Sequence, residues 1–221
     1  MRGKPEIGRG REPVVLVTGF DAFAGAAENP SALAAMALHG REIAGHRVLA
    51  SILPTAFGES LRLLREALEQ HRPSLVLACG QAGGRAAMSL ERVAINLDDA
   101  RIPDNRGARP IDRPVVPGGP AAYFASLPLK AMLQALRSAG LPAEVSQTAG
   151  TFVCNHVFYG LMHALAQEGD GVRGGFVHVP WLPTQGEPSM PLERIVQGLD
   201  IAIACALRTR QDIELAAGAL D

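Results

Sequence analysis

The sequence predicts a single α/β domain, a three-layer α/β/α sandwich around a twisted, mostly parallel, mixed sheet. Short apolar runs such as Val14–Gly19 and Ser74–Cys79 do not alternate with polar residues, which is typical of strands covered on both faces. Segments of helical periodicity alternate with these runs, as in Gly58–Gln70, where three leucines form one apolar face. No repeat, low-complexity block or linker divides the chain, so one domain is expected over residues 14–210.

The two ends of the chain are expected to lie outside this domain. Met1–Pro13 is polar and basic and has no apolar segment, so it is interpreted as a disordered extension and not as a signal peptide. Gln211–Asp221 is weakly patterned and is interpreted as a C-terminal tail.

The composition excludes several classes of protein. The 221 residues are 48% hydrophobic and carry a formal net charge of -1, which suits a globular domain with one well-filled core. A net charge so close to zero argues against nucleic acid or an anionic membrane as the main partner, and no apolar run reaches the roughly 18 residues of a membrane span. Three widely spaced cysteines without a CxxC pair predict neither disulfides nor a zinc site, so a cytoplasmic protein without cofactor is expected.

The remaining elements follow in chain order from caps, periodicity and apolar runs. Asn29 and Pro30 form an N-cap and a first helical residue, and the helix that they begin is predicted to end near Gly40. We further predict strands over His46–Leu53, Ala143–Thr148 and Gly174–Pro180, and helices over Gly58–Gln70, Pro128–Gly140, Asn155–Ala166 and Pro191–Arg208.

Three loops carry unusual residues. Phe20 and Phe23 follow the first strand, where they either pack under the loop or line a pocket, because ligands of open α/β sheets bind outside the strand carboxyl ends. The Gly-rich turn Gly80–Arg85 lacks the spacing of known phosphate-binding loops, so its glycines are interpreted as allowing a sharp turn and a close backbone approach. Asp98–Pro120 is a long segment rich in Pro and Gly, and such segments are often functional.

Cys154 lies where a helix is predicted to begin, after a strand and a turn of small residues. The unpaired N–H groups and the positive dipole end of a helix favour an anion, so this thiol is expected to lose its proton easily and to act as a nucleophile. The alternative is that Cys154 is a small, buried apolar residue, which is the usual role of a free cysteine. Both interpretations stay open at this point.

A cysteine nucleophile needs a base and a group that orients the base. His178 lies on the next predicted strand after Cys154, whereas His156 lies two residues from Cys154 on one helix, where side chains point apart. We therefore favour His178 as the base and interpret His156 as a helix residue. The candidate orienters are Glu91, Asp98, Asp99 and Asp104, of which Glu91 is favoured because its neighbours are apolar and a buried carboxylate needs a partner.

Four long blocks spread over Leu16–Pro183 are more specific than a lone Cys and His. The blocks are LVTGFDAFAGAAENPS, GQAGGRAAMSLERVAINLDDARIPDNRG, GGPAAYFASLPLKAM with SQTAGTFVCNHVFYGLMH, and RGGFVHVPWLP. Together they resemble the pyroglutamyl peptidase I family of cytoplasmic cysteine peptidases. The segment around Glu91 is similar to the glutamate signature of that family, and the segment around Cys154 is similar to its cysteine signature.

The resemblance implies a cysteine exopeptidase that removes an N-terminal pyroglutamyl residue from peptides through a Cys154–His178–Glu91 triad and an acyl-enzyme. It also implies that Arg101 lies near the oxyanion site, together with a backbone N–H. Activity should then need thiolate and imidazolium together, which predicts a bell-shaped pH profile. Family members are often tetramers, so a homotetramer or homodimer is expected.

The resemblance also implies the residues of the substrate pocket. A flat, uncharged lactam needs an apolar sandwich with a few aimed hydrogen bonds. The first loop departs from the family pattern, because Ala22 and Ala24 stand where Pro and Gly are frequent, and Leu90 precedes the glutamate where Pro is common. The implied lining of the ring is Phe20, Phe23, Phe152 and Val153, with Asn29 and Gln81 nearby as polar or loop-fixing residues.

Two other functions are weighed beside the peptidase. A phosphorylase-like or nucleotide-binding α/β protein would use Gly80–Gly84 as its phosphate loop, and it predicts phosphate dependence without a role for Cys154. A non-enzymatic small-molecule binding domain predicts that Cys154→Ser retains full function.

Overall fold

One seven-stranded sheet organises the fold, and the computed structural model describes residues 12–169 and 171–218. The strands of this part of the chain are β1 (Val14–Phe20), β2 (Glu42–Ile43), β3 (His46–Leu53), β4 (Leu75–Gln81), β5 (Met88–Glu91), β6 (Val93–Ile95), β7 (Ala122–Phe124), β8 (Ala143–Ser146) and β9 (Arg173–Val179). The helices are α1 (Pro30–Leu38), α2 (Glu59–His71), α3 (Leu129–Ser138), α4 (Val153–Glu168) and α5 (Leu192–Arg208).

The strands of the large sheet follow the order β2-β3-β1-β4-β9-β5-β8, while β6 and β7 form a separate antiparallel pair. The centre is parallel, because β1 pairs with β3 and β4, and β4 pairs with β9. β5 runs antiparallel to β9 and parallel to β8, and β2 runs antiparallel to β3. This mostly parallel, mixed sheet confirms the predicted fold class.

Helices cover both faces of the sheet. α1, α3 and α5 pack on one face, in a core that includes Val15 and Met132. α2 and α4 pack on the other face, in a core that includes Leu16 and Phe158. Because consecutive strand residues point to opposite faces, Val15 and Leu16 enter different cores, and both must be apolar. This double burial explains why the strand sequences do not alternate.

The predicted helices and strands are confirmed in type, and their ends differ by a few residues. The β-rich stretch Ser89–Leu97 divides at Arg92, so that β5 joins the large sheet and β6 pairs with β7. The N–H of Arg92 donates to the carbonyl of Ser146 and its own carbonyl accepts from the N–H of Ala125, each at 2.9 Å. A single residue thus serves both sheets. β2 and β7 were not predicted, because two and three residues are too short for a pattern.

The described part of the predicted tail contacts the domain. The carboxylate of Asp212 accepts from the N–H groups of Lys130 and Ala131 at 3.0 and 2.9 Å. No side chain of α3 itself caps that helix N-terminus, so Asp212 satisfies it from a distant part of the chain. Met1–Arg11 of the predicted extension and residues 219–221 of the tail lie outside the described residues.

Residues 12–169 and 171–218 contain neither a membrane-spanning helix nor a cluster of metal-binding side chains. None of the helices there is both long and apolar enough to span a bilayer. In the same ranges, no three potential metal-binding side chains of the His, Cys, Asp or Glu type come together.

Candidate active site

The candidate active site lies at the edge of the sheet where three parallel strands end. Phe20 is the last residue of β1, Gln81 is the last residue of β4, and His178 is the penultimate residue of β9. Cys154, in the first turn of α4, lines a cavity together with Phe20 and Gln81. Ligands of open α/β sheets bind at such an edge, so this position agrees with the sequence-based prediction.

Glu91 and His178 project from the same face of the sheet. Glu91 is the register partner of Phe176, which lies two residues before His178 on β9, so the side chains share one face. The Glu91 side chain is fully buried, and its Oε1 lies 2.7 Å from His178 Nδ1. Because Nδ1 donates to the carboxylate, Nε2 is the nitrogen left to accept a proton.

Gly80 provides the space for Cys154 beside His178. Gly80 is the register partner of His178 in the parallel pair of β4 and β9. A Cβ at Gly80 would lie 2.9 Å from Cys154 Sγ and 2.8 Å from Phe176 Cζ, so the sulfur occupies space that a side chain at this position would need. Register partners project to one face of the sheet. Cys154 Sγ, which packs against Gly80 of β4, therefore lies on the face from which His178 of β9 projects.

The Gly-rich turn is therefore explained by packing. At Gly83 an added Cβ would lie 2.2 Å from the ring of Trp181, so this glycine is required for close approach as well. Both glycines approach side chains of the protein itself. This arrangement agrees with the interpretation of a close backbone approach and gives no support to a phosphate loop.

The surroundings of Cys154 favour the protonated form of its thiol. Burial raises its pKa to about 12, the nearby Glu91 carboxylate adds to the rise, and the Arg85 guanidinium opposes it. The residue as a whole is partly exposed, but its sulfur faces inward against Gly80, and desolvation acts on the sulfur. The prediction that the helix N-terminus makes this thiol lose its proton easily is therefore wrong for the resting site, because desolvation outweighs the helix end.

The N-terminus of α4 offers backbone donors beside the sulfur. Phe152 is the N-cap residue, and no side chain caps this end of the helix. The N–H groups of the first helical turn, including that of Cys154, have no partner within the helix. Backbone donors of this kind stabilise an oxyanion that forms next to a nucleophile.

The other three candidate orienters have different surroundings. Asp98 Oδ2 lies 2.8 Å from His156 Nδ1. Asp104 accepts three backbone N–H groups, each at 2.8 Å. Asp99 is exposed. Of the four candidates, Glu91 is the one whose carboxylate contacts His178 in the described part of the chain.

His156 is a core histidine that ties α4 to two loops. Its Nε2 accepts from the N–H of Gly58 at 2.9 Å, and its Nδ1 donates to Asp98 Oδ2 at 2.8 Å. The ring of Phe57 packs edge-on against it, with 5.2 Å between the ring centroids. Both ring nitrogens of His156 are hydrogen-bonded, so this residue stabilises the packing of α4 against the neighbouring loops. This role agrees with its interpretation as a helix residue.

His156→Ala is expected to lower the free energy of unfolding by about 2 to 4 kcal/mol. The substitution leaves the buried Asp98 without its histidine, and Asp98 Oδ1 already lacks a hydrogen-bond partner among the described residues. Urea unfolding followed by circular dichroism measures the loss. His46→Ala is the control, because its ring bonds only locally to the carbonyl of Ala44, and it should cost less than about 0.5 kcal/mol. Equal losses in the two variants would contradict the structural role of His156.

A small cavity beside Cys154 contains most of the predicted pocket residues. Its volume is about 110 Å³. A cavity of about 150 Å³ accommodates benzene, so this space suits a five-membered ring. The ring of Phe152 lies 5.2 Å from that of Phe23 and 5.3 Å from that of Phe57, which forms an aromatic wall. The cavity is lined by Phe20, Phe23, Asn29, Thr55, Gln81, Phe152 and Cys154.

The polar residues of the cavity are held by their neighbours. Asn29 caps α1 through Oδ1, which accepts from the N–H of Ser31 at 3.0 Å, and its Nδ2 donates to the carbonyl of Asp21 at 2.9 Å. Gln81 Oε1 accepts from Gln185 Nε2 at 3.1 Å, which leaves the N–H groups of Gln81 available for donation to a ligand. Thr55 was not predicted. It follows β3, the parallel neighbour of β1, so the strand-end rule indicates this position.

Two predicted site residues lie outside this cavity. Val153 is fully buried in the core under α2 and α4, behind the pocket and not at its surface. Arg101 is exposed and lines a neighbouring cavity, which shares Phe152 with the pocket of Cys154. Its role at an oxyanion site stays a prediction.

The three departures from the family pattern are accommodated. Ala24 has a φ of 55°, a left-handed conformation that glycine adopts freely and alanine does not. The carbonyl of Ala22 accepts from Asn105 Nδ2 at 2.9 Å, which holds the loop to the segment after Asp104. Leu90 is buried in the core of the other sheet face. The first loop thus keeps a glycine-like turn without the glycine.

Comparison with known proteins gives consistent matches over nearly the whole chain. A family model described as pyroglutamyl peptidase matches residues 14–209. Pyrrolidone-carboxylate peptidase 1 of Ralstonia nicotianae is 58% identical over 213 residues, which cover 94% of this chain and 99% of the relative. Pyrrolidone-carboxylate peptidase of Klebsiella pneumoniae is 57% identical over 210 residues, which cover 93% of this chain and 98% of the relative.

Solved structures also match over most of the chain. The pyroglutamyl peptidase I of Bacillus amyloliquefaciens has a TM-score of 0.90 and 45% sequence identity, over 93% of this chain and 100% of the solved chain. A mutant pyrrolidone carboxyl peptidase of Pyrococcus furiosus has a TM-score of 0.85 and 40% identity, over 88% of this chain and 98% of the solved chain.

Proposed function

The chain belongs to the pyroglutamyl peptidase family of cysteine peptidases, and on that premise we propose that it cleaves N-terminal pyroglutamyl residues from peptides through a triad of Cys154, His178 and Glu91. One observation carries the proposal. Cys154 lines a ring-sized aromatic cavity, and its sulfur lies on the sheet face from which the paired His178 and Glu91 project.

Proton transfer starts the reaction. His178 Nε2 takes the proton of the Cys154 thiol, and the thiolate attacks the carbonyl carbon that links pyroglutamate to the next residue. Transfer within the site is needed because burial raises the pKa of Cys154 to about 12. Glu91 holds the imidazole through Nδ1 and stabilises the imidazolium that forms.

Two further steps complete the turnover. His178 gives its proton to the leaving amine as the carbon–nitrogen bond breaks, which leaves a thioester of pyroglutamate on Cys154. Water then attacks the thioester with His178 as the base, and the thiol is restored as pyroglutamate leaves. The uncapped N–H groups at the start of α4 are suited to hold the oxyanion of both tetrahedral intermediates.

The cavity favours an uncharged lactam over a charged N-terminus. Phe20, Phe23 and Phe152 offer apolar surface to the ring, and Gln81 offers N–H groups to its carbonyl. The cavity lining contains no carboxylate among the described residues that could pair with an ammonium group. An unblocked N-terminus would therefore lose its hydration without compensation.

A comparison of three substrates tests this function. The coumarin amide of pyroglutamate should be hydrolysed with a kcat/KM at least about 10³-fold above those of the glutaminyl and prolyl amides, because each of these carries an ammonium group. Treatment with iodoacetamide should abolish the activity, and mass spectrometry should find the adduct on Cys154. Comparable hydrolysis of all three amides would refute the proposed specificity.

A further inference from the structure

Arg85 contacts the same carboxylate oxygen that His178 uses. Arg85 Nη1 lies 2.7 Å from Glu91 Oε1, and His178 Nδ1 lies 2.7 Å from that oxygen. The guanidinium also donates to Ser146 Oγ at 3.5 Å and to the carbonyl of Thr148 at 3.3 Å. Arg85 thus joins the end of the Gly-rich turn to the end of β5 and to the segment that leads into α4.

The burial of this contact separates it from ordinary surface ion pairs. The Glu91 side chain is fully buried and that of Arg85 is 30% exposed, whereas the Arg62–Glu66 pair on α2 is more than half exposed on both sides. Glu91 Oε2 is buried without a hydrogen-bond partner among the described residues. All hydrogen bonds that the described residues give to this carboxylate therefore meet at Oε1.

The charges at the site require a second cation. When the Cys154 proton moves to His178, the site holds a thiolate, an imidazolium and the Glu91 carboxylate. Without Arg85, these three buried groups carry a net negative charge. A buried carboxylate without a cation favours its neutral form, and an arginine, which stays charged in proteins, favours the ionised form.

We propose that Arg85 is a positioning residue of this centre: its guanidinium balances the charge of the Glu91 carboxylate and holds that carboxylate against His178. Its influence on the reaction rests on the proposed function, whereas its influence on the site does not. Arg85 also acts on the thiol, because its positive charge opposes the rise in the pKa of Cys154.

Arg85→Met provides the main test, because methionine keeps much of the volume and removes the charge. On a pyroglutamyl-coumarin amide, kcat should fall about 10- to 100-fold while KM changes less than about twofold. KM is spared because Arg85 does not line the cavity of Cys154. At a fixed, mildly alkaline pH, iodoacetamide should alkylate Cys154 about three- to tenfold more slowly than in wild type.

Two control variants separate charge from general packing. Arg62→Met removes an exposed ion pair on α2 and should keep the wild-type kcat. Arg85→Lys keeps the charge with fewer donors, so its kcat and its alkylation rate should lie closer to wild type than those of Arg85→Met. If the methionine variant does not fold, the same measurements on Arg85→Gln take its place.

A double-mutant cycle tests whether Arg85 acts through Glu91. In a Glu91→Gln background, Arg85→Met should lower kcat less than about twofold further, because no carboxylate is left to hold. Additive losses, an unchanged kcat in Arg85→Met, or a lysine variant no better than methionine would each overturn the inference. If wild type fails on pyroglutamyl amides but alkylation still follows Arg85, the proposed function fails and the inference stands.

Discussion

Replacement of Cys154 by alanine is expected to lower kcat/KM for a pyroglutamyl amide by at least about 10³-fold. The substitution removes the atom that forms the thioester, and Cys154 is the only cysteine among the described residues that line the cavity. Cys154→Ser should lose nearly as much, because the environment that raises the thiol pKa to about 12 also opposes ionisation of a hydroxyl. Steady-state hydrolysis of the coumarin amide measures both losses.

The two other cysteines are matched controls for this loss. Cys79 is buried in β4, and Cys205 lies partly buried in α5. Cys79→Ala and Cys205→Ala should keep kcat/KM within about threefold of wild type, although the first should cost about 1 kcal/mol of stability through the lost sulfur volume. Substantial activity in folded Cys154→Ser, with a serine-linked acyl-enzyme absent, would exclude a mechanism in which this side chain is the nucleophile.

Gly80→Ala is expected to lower kcat/KM by at least about 10²-fold, although residue 80 supplies no reacting atom. The new methyl group would lie 2.9 Å from Cys154 Sγ and 2.8 Å from the buried Phe176 ring, so one of them must move. The Phe176 ring packs between Phe20 and Phe158, which leaves the short side chain of Cys154 as the group that moves more easily. A displaced sulfur no longer meets the substrate carbonyl and His178 in one geometry.

Gly175→Ala provides a control of the same kind on the neighbouring strand. Its Cβ would lie 2.7 Å from Leu127 Cδ1, in the core on the opposite sheet face. Both substitutions overpack a core and should destabilise by about 1 to 3 kcal/mol, but Gly175→Ala should keep most of the activity. Thermal unfolding and hydrolysis, measured together, separate the two effects. Parallel losses of activity in the two variants would show that Gly80 matters for stability alone.

The Gly80 prediction also distinguishes two explanations of the Gly-rich turn. In a phosphate loop, an alanine at this position would weaken phosphate binding, and function would not depend on the thiol. In the peptidase site, the loss of activity should be accompanied by a change in the rate at which iodoacetamide alkylates Cys154. Wild-type alkylation together with lost activity would place the effect of Gly80 elsewhere than at the sulfur.

The sequence alone determined the fold class, and it indicated Cys154 and His178 as a candidate nucleophile and base. Apolar runs such as Val14–Phe20 predict strands covered on both faces, and helical periodicity predicts the covering helices, because both signals act over a few neighbouring residues. Local reasoning left the role of Cys154 open and favoured His178 as its base from the order of the elements, and the family resemblance then implied both roles. The position of Phe20 at a strand end indicated a pocket residue, whereas Gln81 was implied by the family resemblance.

The tertiary structure decided which distant groups meet. Glu91 joins His178 across 87 residues only because β5 inserts antiparallel beside β9, whereas the similar Asp98 pairs with His156. No local pattern encodes strand order or register, because these depend on how whole strands and helices bury their surfaces together. The same limit applies to Arg85, whose contact with Glu91 depends on the path of a turn.

The pKa of the Cys154 thiol likewise depends on one feature that the sequence shows and on another that only the fold shows. The helix end that begins near Cys154 is visible in the sequence and favours a thiolate. Burial against Gly80 and Phe176 is visible only in the fold, and it raises the pKa of Cys154 instead. Local sequence predicted that Cys154 lies at a helix N-terminus, and tertiary packing raised the pKa of its thiol, because desolvation depends on every group that surrounds the sulfur.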